Sequence, residues 1–364
     1  MRIAIIGTRG IPNAYGGFEQ FAEYLSLYLT KKNHDVWVYS SSLHPYQQST
    51  WNGVNIVHAT DWEGKIGTAG QFIYDFNCIL DARKRNYDVI LQLGYTSSSI
   101  WAKLMPKNVK IITNMDGMEW KRSKFSGKVQ YFLRKAEKWA VRSSNAIVAD
   151  SKGIKSYLDE KYSINSTFIA YGAPVAPLRE KSLLDKIGVH PGNYYLLVAR
   201  MEPENNIEMI LDGYSKSNET DPFIVIGKLT NEFSKHLQKK FETNDQIKFI
   251  GGIYDLELLD CLRQNCKLYF HGHSVGGTNP SLLEAMGCAI CIVAHNNEFN
   301  RAVLEDDGYY FSSALEVTKI IDDESKINEE RMISNNLLKI KNDYSWNNIN
   351  EQYEKLFIKT LRTN

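Results

Sequence analysis

The 364-residue sequence contains neither a Gly-x-Gly-x-x-Gly nor an Asp-x-Asp. The first absence argues against a nicotinamide or flavin site, whose glycines let a strand-to-helix turn approach a pyrophosphate. The second leaves no signal for a carboxylate pair clamping a metal–diphosphate, so neither a metal nor a resident cofactor is expected. Long apolar runs are missing too. The longest, such as Cys288 to Ala294, are strand-length and far short of the ~20 residues of a spanning helix. No cleavable leader is read before the first apolar run, Ile3 to Ile6. Cysteine is scarce: Cys78, Cys261, Cys266, Cys288 and Cys291 are odd in number and lack framework spacing, which suits a reducing cytoplasm. Cys288 and Cys291 do form a Cys-x-x-Cys, but they flank an apolar run and have no second pair. That argues against zinc or redox chemistry.

What is present suits a large enzyme. The length exceeds a usual single core, so two domains are expected. The net charge of +1 hides an asymmetry. Residues 1–175 hold 22 Lys/Arg against 14 Asp/Glu, and residues 176–364 hold 21 against 28. Between Lys121 and Arg142 lie eight basic residues and one acid, Glu137. Phe125, Val129, Phe132, Leu133, Ala136, Trp139 and Ala140 recur there at helical spacing. The stretch reads as a basic amphipathic helix, with its apolar stripe on its own domain and its charges able to attract an anionic membrane.

Strands and helices alternate. Strand Arg2–Ile6, helix Gly17–Lys31 and strand Asp35–Ser40 form a first unit, followed by strand-like 88–93, 109–113 and 146–149. Two prolines and a glycine within 171–177 mark a linker. A second series follows: strands 194–199, 223–226, 247–250, 267–271 and 289–294, with helices between. The class is α/β, two Rossmann-like doubly wound domains. The expected boundaries are 1–175, joined by a returning helix at 345–364, and 176–344.

Three kinds of loop carry chemistry. Gly276-Gly277-Thr278-Asn279-Pro280 opens a helix that bears Glu284 one turn in. Backbone N–H groups at such a turn form an anion site, and the carboxylate can accept hydrogen bonds from a ribose. An ordinary loop before a helix fits the same residues. Arg200 and Lys228 end two strands of the same series and could neutralise a diphosphate. In the first half, Arg9, Tyr15, Gly16 and Gly17 lie in the loop after the first strand. Asp116, Glu119, Trp120 and Arg122 follow the strand 109–113, a mix that suits sugar hydroxyls and acid/base work.

These residues resemble the GT-B glycosyltransferases of the retaining family 4 type. Arg200, Pro203, Glu204 and Asn206 resemble that family's phosphate-binding motif, and Pro280 to Met286 resembles the end of its E-x7-E motif. Ser345-Trp346 resembles its terminal helix, which crosses back to the N-terminal domain. A narrower resemblance, to bacterial polysaccharide rhamnosyltransferases, rests on Gly7 to Pro12, Tyr15 to Glu19, Asp116 to Arg122 and Gly276 to Pro280. Three positions depart from the broad family. Asn205 replaces its lysine, Gly276 its first glutamate, and Asp116 a histidine.

The resemblance implies two domains facing a cleft and transfer of L-rhamnose from dTDP-rhamnose to a lipid-diphosphate-linked saccharide for capsule or cell wall. UDP-glucose, UDP-galactose or UDP-N-acetylglucosamine is the alternative donor, and a non-catalytic nucleotide-sugar binder the alternative class. Arg200, Lys228, Gly276, Gly277, Thr278, Asn279 and Glu284 would bind donor. Arg9, Tyr15, Gly16, Gly17, Trp120 and Arg122 would bind acceptor, with Asp116, Glu119 and Arg200 catalytic. The expected place is cytoplasmic, peripheral on the inner face of the membrane, with no nucleic-acid partner.

Overall fold

Ile3 to Ile6 are almost wholly buried, as a strand covered on both faces requires. A computed structural model describes residues 1–14, 16–121, 125–323 and 329–363. The chain divides into two units, Met1–Tyr171 with Trp346–Asn364, and Gly172–Ser345.

The first unit contains β1 (Arg2–Ile6), β2 (Asp35–Ser41), β3 (Thr50–Trp51), β4 (Val54–Ala59), β5 (Val89–Leu93), β6 (Lys110–Asn114), β7 (Ala146–Ala149) and β8 (Thr167–Phe168). They form one sheet in the order β3-β4-β2-β1-β5-β6-β7-β8. Every pairing is parallel except the edge pair β3–β4. The strand order reverses direction at β1 and β5, so a crevice opens at their C-terminal ends. The final helix, Trp346–Arg362, belongs to this unit. Trp346 stacks on Tyr24 at 4.4 Å and meets Tyr171 edge-on at 4.9 Å. Glu354 accepts from Tyr28 Oη at 3.1 Å and pairs with His34 Nε2 at 2.9 Å.

The second unit contains β9 (Tyr195–Val198), β10 (Phe223–Ile226), β11 (Ile247–Gly251), β12 (Tyr269–His271), β13 (Ile292–His295) and β14 (Tyr309–Phe311). Their order is β11-β10-β9-β12-β13-β14, all parallel. This is the doubly wound order, with its switch point between β9 and β12. Tyr195, Leu197, Phe223, Val225 and Phe270 anchor the core on one side of it.

Several boundaries differ from the sequence reading: the first unit ends at Tyr171 and not at residue 175, and two elements shift more than their neighbours. The basic helix runs Gly127–Ser143, and Glu119–Lys121 form a separate 3₁₀ turn before it. The strand read from Ala289 begins at Ile292, because Ala289 has φ +59 just past the preceding helix end and cannot extend the strand. The edge strands β3 and β8 are two residues each and carry no pattern of their own. No helix among the described residues is long and apolar enough to cross a membrane.

Candidate functional site

In the second unit, the loops after β9, β10 and β12 converge because the switch point sets β9 beside β12 and β10. Arg200 follows β9 and Lys228 follows β10, and both are exposed. Neither side chain has a hydrogen-bond or ion-pair partner among the described residues. The loops themselves are tightly held. Asn205 Nδ2 donates to Arg200 O at 2.7 Å, and Asn206 Nδ2 donates to Gly272 O at 2.7 Å. Ser274 donates through N and Oγ to Glu204 O at 3.0 and 2.8 Å. Gly272 must lack a side chain, since a β-carbon there would overlap the Asn205 carbonyl oxygen. Asn205 thus does not stand as a cation in this loop. It serves as a brace, its Oδ1 lying 2.8 Å from His273 Nδ1. With Asn205 Nδ2 already donating, that distance requires a proton on His273 Nδ1.

The turn at Gly276 has φ +103, a left-handed conformation that favours glycine. It leads through buried Thr278 into the helix Pro280–Gly287. Asn279 caps that helix, its Oδ1 accepting from Ser281 N at 2.9 Å, with Pro280 in the first turn. Tyr269 Oη and Ser281 Oγ are 2.7 Å apart, tying the helix start to β12. Glu284 lies one turn in and accepts from Arg263 Nη2 at 2.7 Å. Burial opposes the Arg263 charge, but the Glu284 carboxylate outweighs it and holds the guanidinium above its ordinary value.

Sequence reasoning gave three groups here no role of their own, naming Glu204 only within the resemblance at Arg200 to Asn206. Arg263 is one, on the helix Leu256–Asn265. Glu204 is another: it is buried, and neither carboxylate oxygen has a hydrogen-bond partner among the described residues. His271 ends β12, and burial, then His273, Arg263 and His295, push it down to about 3. The His-Gly-His run at 271–273, directly after an apolar strand, was the available signal.

In the first unit, Asp116 sits beyond β6 with φ +54 and is half-buried. Its N–H donates to Asn114 Oδ1 at 2.9 Å, and Asn114 Nδ2 donates to Tyr353 Oη at 2.8 Å. The final helix therefore braces the Asp116 turn. Asp150, just after β7, is half-buried, and its carboxyl is pushed well above the usual carboxylate range by desolvation and then by Asp116. Glu119 and Trp120 lie in the 3₁₀ turn. The Trp120 indole donates to Glu137 Oε2 at 3.1 Å, and Arg134 lies over its ring at 4.6 Å. Glu137 is itself buried and also accepts from Tyr157, Lys161 and Tyr162. Trp120 is thus tied into packing.

After β1, Arg9 pairs with Glu63 and, at 3.5 Å, with Asp61, while its N–H donates to buried Glu19 at 2.6 Å. Gly16 precedes the helix Gly17–Lys31, and Gly17 O accepts from Tyr171 Oη at 2.7 Å. Tyr15 and Arg122 lie outside the described residues. Arg9, Gly16, Gly17, Asp116, Glu119 and Trp120 all follow strands of the first sheet. Arg200, Lys228, Gly276, Gly277, Thr278 and Asn279 follow strands of the second, and Glu284 lies on the helix that the Gly276 turn opens. No group of three or more His, Cys, Asp or Glu that could hold a metal ion occurs among the described residues.

Residues 1–174 match the family described as Domain of unknown function (DUF1972), and residues 183–336 match Glycosyl transferases group 1. No curated protein matches the chain in sequence. Among solved structures, sucrose-phosphate synthase from Thermosynechococcus elongatus is similar at 14% identity and TM-score 0.83, over 100% of each chain. Anabaena Alr3699/HepE, in complex with UDP-glucose, is similar at 16% identity and TM-score 0.76, over 98% of this chain and 99% of that one. The catalytic domain of starch synthase IV from Arabidopsis thaliana, bound to ADP and acarbose, is similar at 13% identity and TM-score 0.73, over 99% of each. The fold is that of GT-B glycosyltransferases, and the match to Glycosyl transferases group 1 falls within the second unit.

Proposed function

We propose that the protein is a retaining glycosyltransferase that takes L-rhamnose from dTDP-rhamnose and adds it to a lipid-diphosphate-linked saccharide in bacterial surface polysaccharide synthesis. The observation that carries the donor half is the convergence of exposed Arg200, exposed Lys228 and the Gly276 turn at one sheet edge, within the group 1 domain. Two cations and a capped helix N-terminus form a site for a diphosphate. They stabilise the charge that develops as the nucleoside diphosphate departs. Glu284 takes the pentose. In this reading the bond from the sugar C1 to the diphosphate oxygen breaks, and the acceptor oxygen bonds to C1 on the same face. The departing phosphate oxygen accepts the acceptor's proton. Asp116 orients sugar hydroxyls beside it.

The rhamnose and lipid-linked parts rest on the motif resemblance at Gly7–Pro12, Tyr15–Glu19, Asp116–Arg122 and Gly276–Pro280. The similarity to HepE, solved with UDP-glucose, supports UDP-glucose as the second reading for the donor. The proposed place is the cytoplasmic face of the membrane, reached through the basic helix Gly127–Ser143.

A thermal-shift panel of nucleotide-sugars, with donor hydrolysis measured in parallel, tests this. A ligand at 100 times its Kd stabilises the native state by about 2.7 kcal/mol. The largest shift is expected from dTDP-rhamnose. A larger shift from UDP-glucose selects the second reading. A shift with no nucleotide release, even with acceptor present, makes the protein a binder without chemistry. No shift from any nucleotide-sugar sinks the proposal.

A further inference from the structure

Arg263 is buried to 2% exposure, and among the described residues its only hydrogen bond to a carboxylate is the one from Nη2 to Glu284 Oε2, at 2.7 Å. Asp260 Oδ1 is 4.0 Å from Nη1, beyond hydrogen-bond reach. Arg263 Nε has no hydrogen-bond partner among the described residues. The guanidinium therefore grips one oxygen of Glu284 and does not form the two-pronged fork that would occupy both. Glu284 Oε1 has no partner among the described residues, and the Glu284 side chain is 25% exposed. The grip is fixed from both ends. Arg263 has no room to swing, and the helix Pro280–Gly287 is pinned at its start through Asn279, Ser281 and Tyr269.

A carboxylate with both oxygens open can accept from the two neighbouring hydroxyls of a ribose at once. Each carboxylate oxygen keeps two lone-pair sites, but the paired fit to two neighbouring hydroxyls uses one oxygen for each, and an oxygen already held by a guanidinium is turned toward that partner. Resting on the reading of Glu284 as the pentose contact, we propose that Arg263 is a positioning residue. It commits Oε2 and presents Oε1 alone. The donor's pentose is then read through a single hydroxyl, the 3′-hydroxyl that both kinds of pentose carry, and the site takes 2′-deoxyribonucleoside and ribonucleoside diphosphates alike. The 2′-hydroxyl contributes no selectivity, and discrimination among donors falls to the base and the transferred sugar.

UDP and dUDP differ only in the 2′-hydroxyl, so calorimetric titration of the intact protein with each isolates this term. The expected Kd values lie within fivefold of one another. A preference for UDP beyond fivefold overturns the proposal while leaving a nucleotide site in place. Binding of neither nucleotide overturns the donor-site reading and this inference together. Arg263→Met, confirmed as folded by its melting transition, frees Oε2 to meet a second hydroxyl. Its preference for UDP over dUDP is expected to rise at least fivefold above the parent's. A purely structural role would weaken both nucleotides equally, so an unchanged ratio in the folded variant overturns the positioning role. Should Arg263→Met fail to fold, the parent's ratio decides the matter alone.

Discussion

Asp116 and Glu284 carry their chemistry in different surroundings, and substitution should separate them. Asp116 has φ +54, which asparagine tolerates about as well as aspartate. Asp116→Asn therefore removes the charge and keeps the turn. It is expected to lower kcat and kcat/KM together by at least tenfold, with donor affinity within threefold. A near-normal kcat in steady-state assays would make Asp116 structural and favour Glu119. Glu284→Ala behaves otherwise, because it strips buried Arg263 of its partner. We expect a loss of stability of order 3 kcal/mol along with weaker donor binding. An unchanged urea midpoint would show that Arg263 does not depend on Glu284.

Asp75 offers a pH signature. It is buried on the helix Gly70–Ala82, where it accepts from Ser97 Oγ at 2.6 Å. Burial, with a smaller push from Asp61, raises it to about 6 against the lowering effects of Ser97 and Arg9. In the unfolded chain an aspartate titrates near ~3.9. Between those values the folded protein holds the proton more tightly. The stabilising contribution is thus full below about pH 4 and lost as pH rises through about 6, by up to about 3 kcal/mol. Asp75→Asn should remove that slope. Equal slopes for parent and variant, from urea midpoints at pH 4.5 and 7.5, would refute it.

At the scale of the element, the helix Gly127–Ser143 divides its faces by chemistry. Leu133, Ala136, Glu137 and Ala140 are buried, while Lys128, Lys135, Lys138 and Arg142 are exposed. Val129, Tyr131 and Trp139 are exposed as well, at 40, 63 and 37%. Apolar side chains interleaved with cations suit an anionic lipid surface. Arg134 lies over Trp120, so it is a poor choice for neutralisation. The triple change of Lys128, Lys135 and Lys138 to glutamine should weaken vesicle binding, at about 1 kcal/mol per cation. Parent binding should fall as salt rises, since the Debye length shrinks to ~3 Å at 1 M. Co-sedimentation with phosphatidylserine vesicles checks both, and equal pelleting of parent and variant removes the helix from the membrane proposal.

At the scale of the whole molecule, the chain leaves its first unit near Tyr171 and re-enters it at Trp346. Trp346 is nearly buried against Phe21, Tyr24 and Tyr171, and Tyr353 from the same helix braces Asn114. Trp346→Ala is expected to cost about 3–5 kcal/mol, the usual range for emptying a large aromatic site. Amide exchange should rise in Trp346–Arg362 and in Gly17–Lys31, and stay unchanged in β9, β10 and β12. Protection spread evenly over both units would mean that the returning helix stabilises more than its own.

Much of this architecture was legible from local pattern. Apolar runs such as Ile3–Ile6 and Phe223–Ile226 can be buried only in the middle of a parallel sheet, and the periodic face of Gly17–Lys31 can only cover one. Glycine, Asn279 and Pro280 likewise announced their turn and helix start, because their dihedral and capping preferences act within a few residues. The edge pairs β3–β4 and β7–β8 were not legible, since a two-residue strand exists only through its partner. Nor were the side-chain partnerships. Arg263 meets Glu284 across 21 residues, Trp120 meets Glu137 across 17, and Asn114 meets Tyr353 across 239. The sequence by itself determined the sheets and the loops that could carry chemistry. Tertiary structure alone decided which charges in those loops stay open and which are held by buried partners, because burial and pairing depend on contacts that no local pattern encodes.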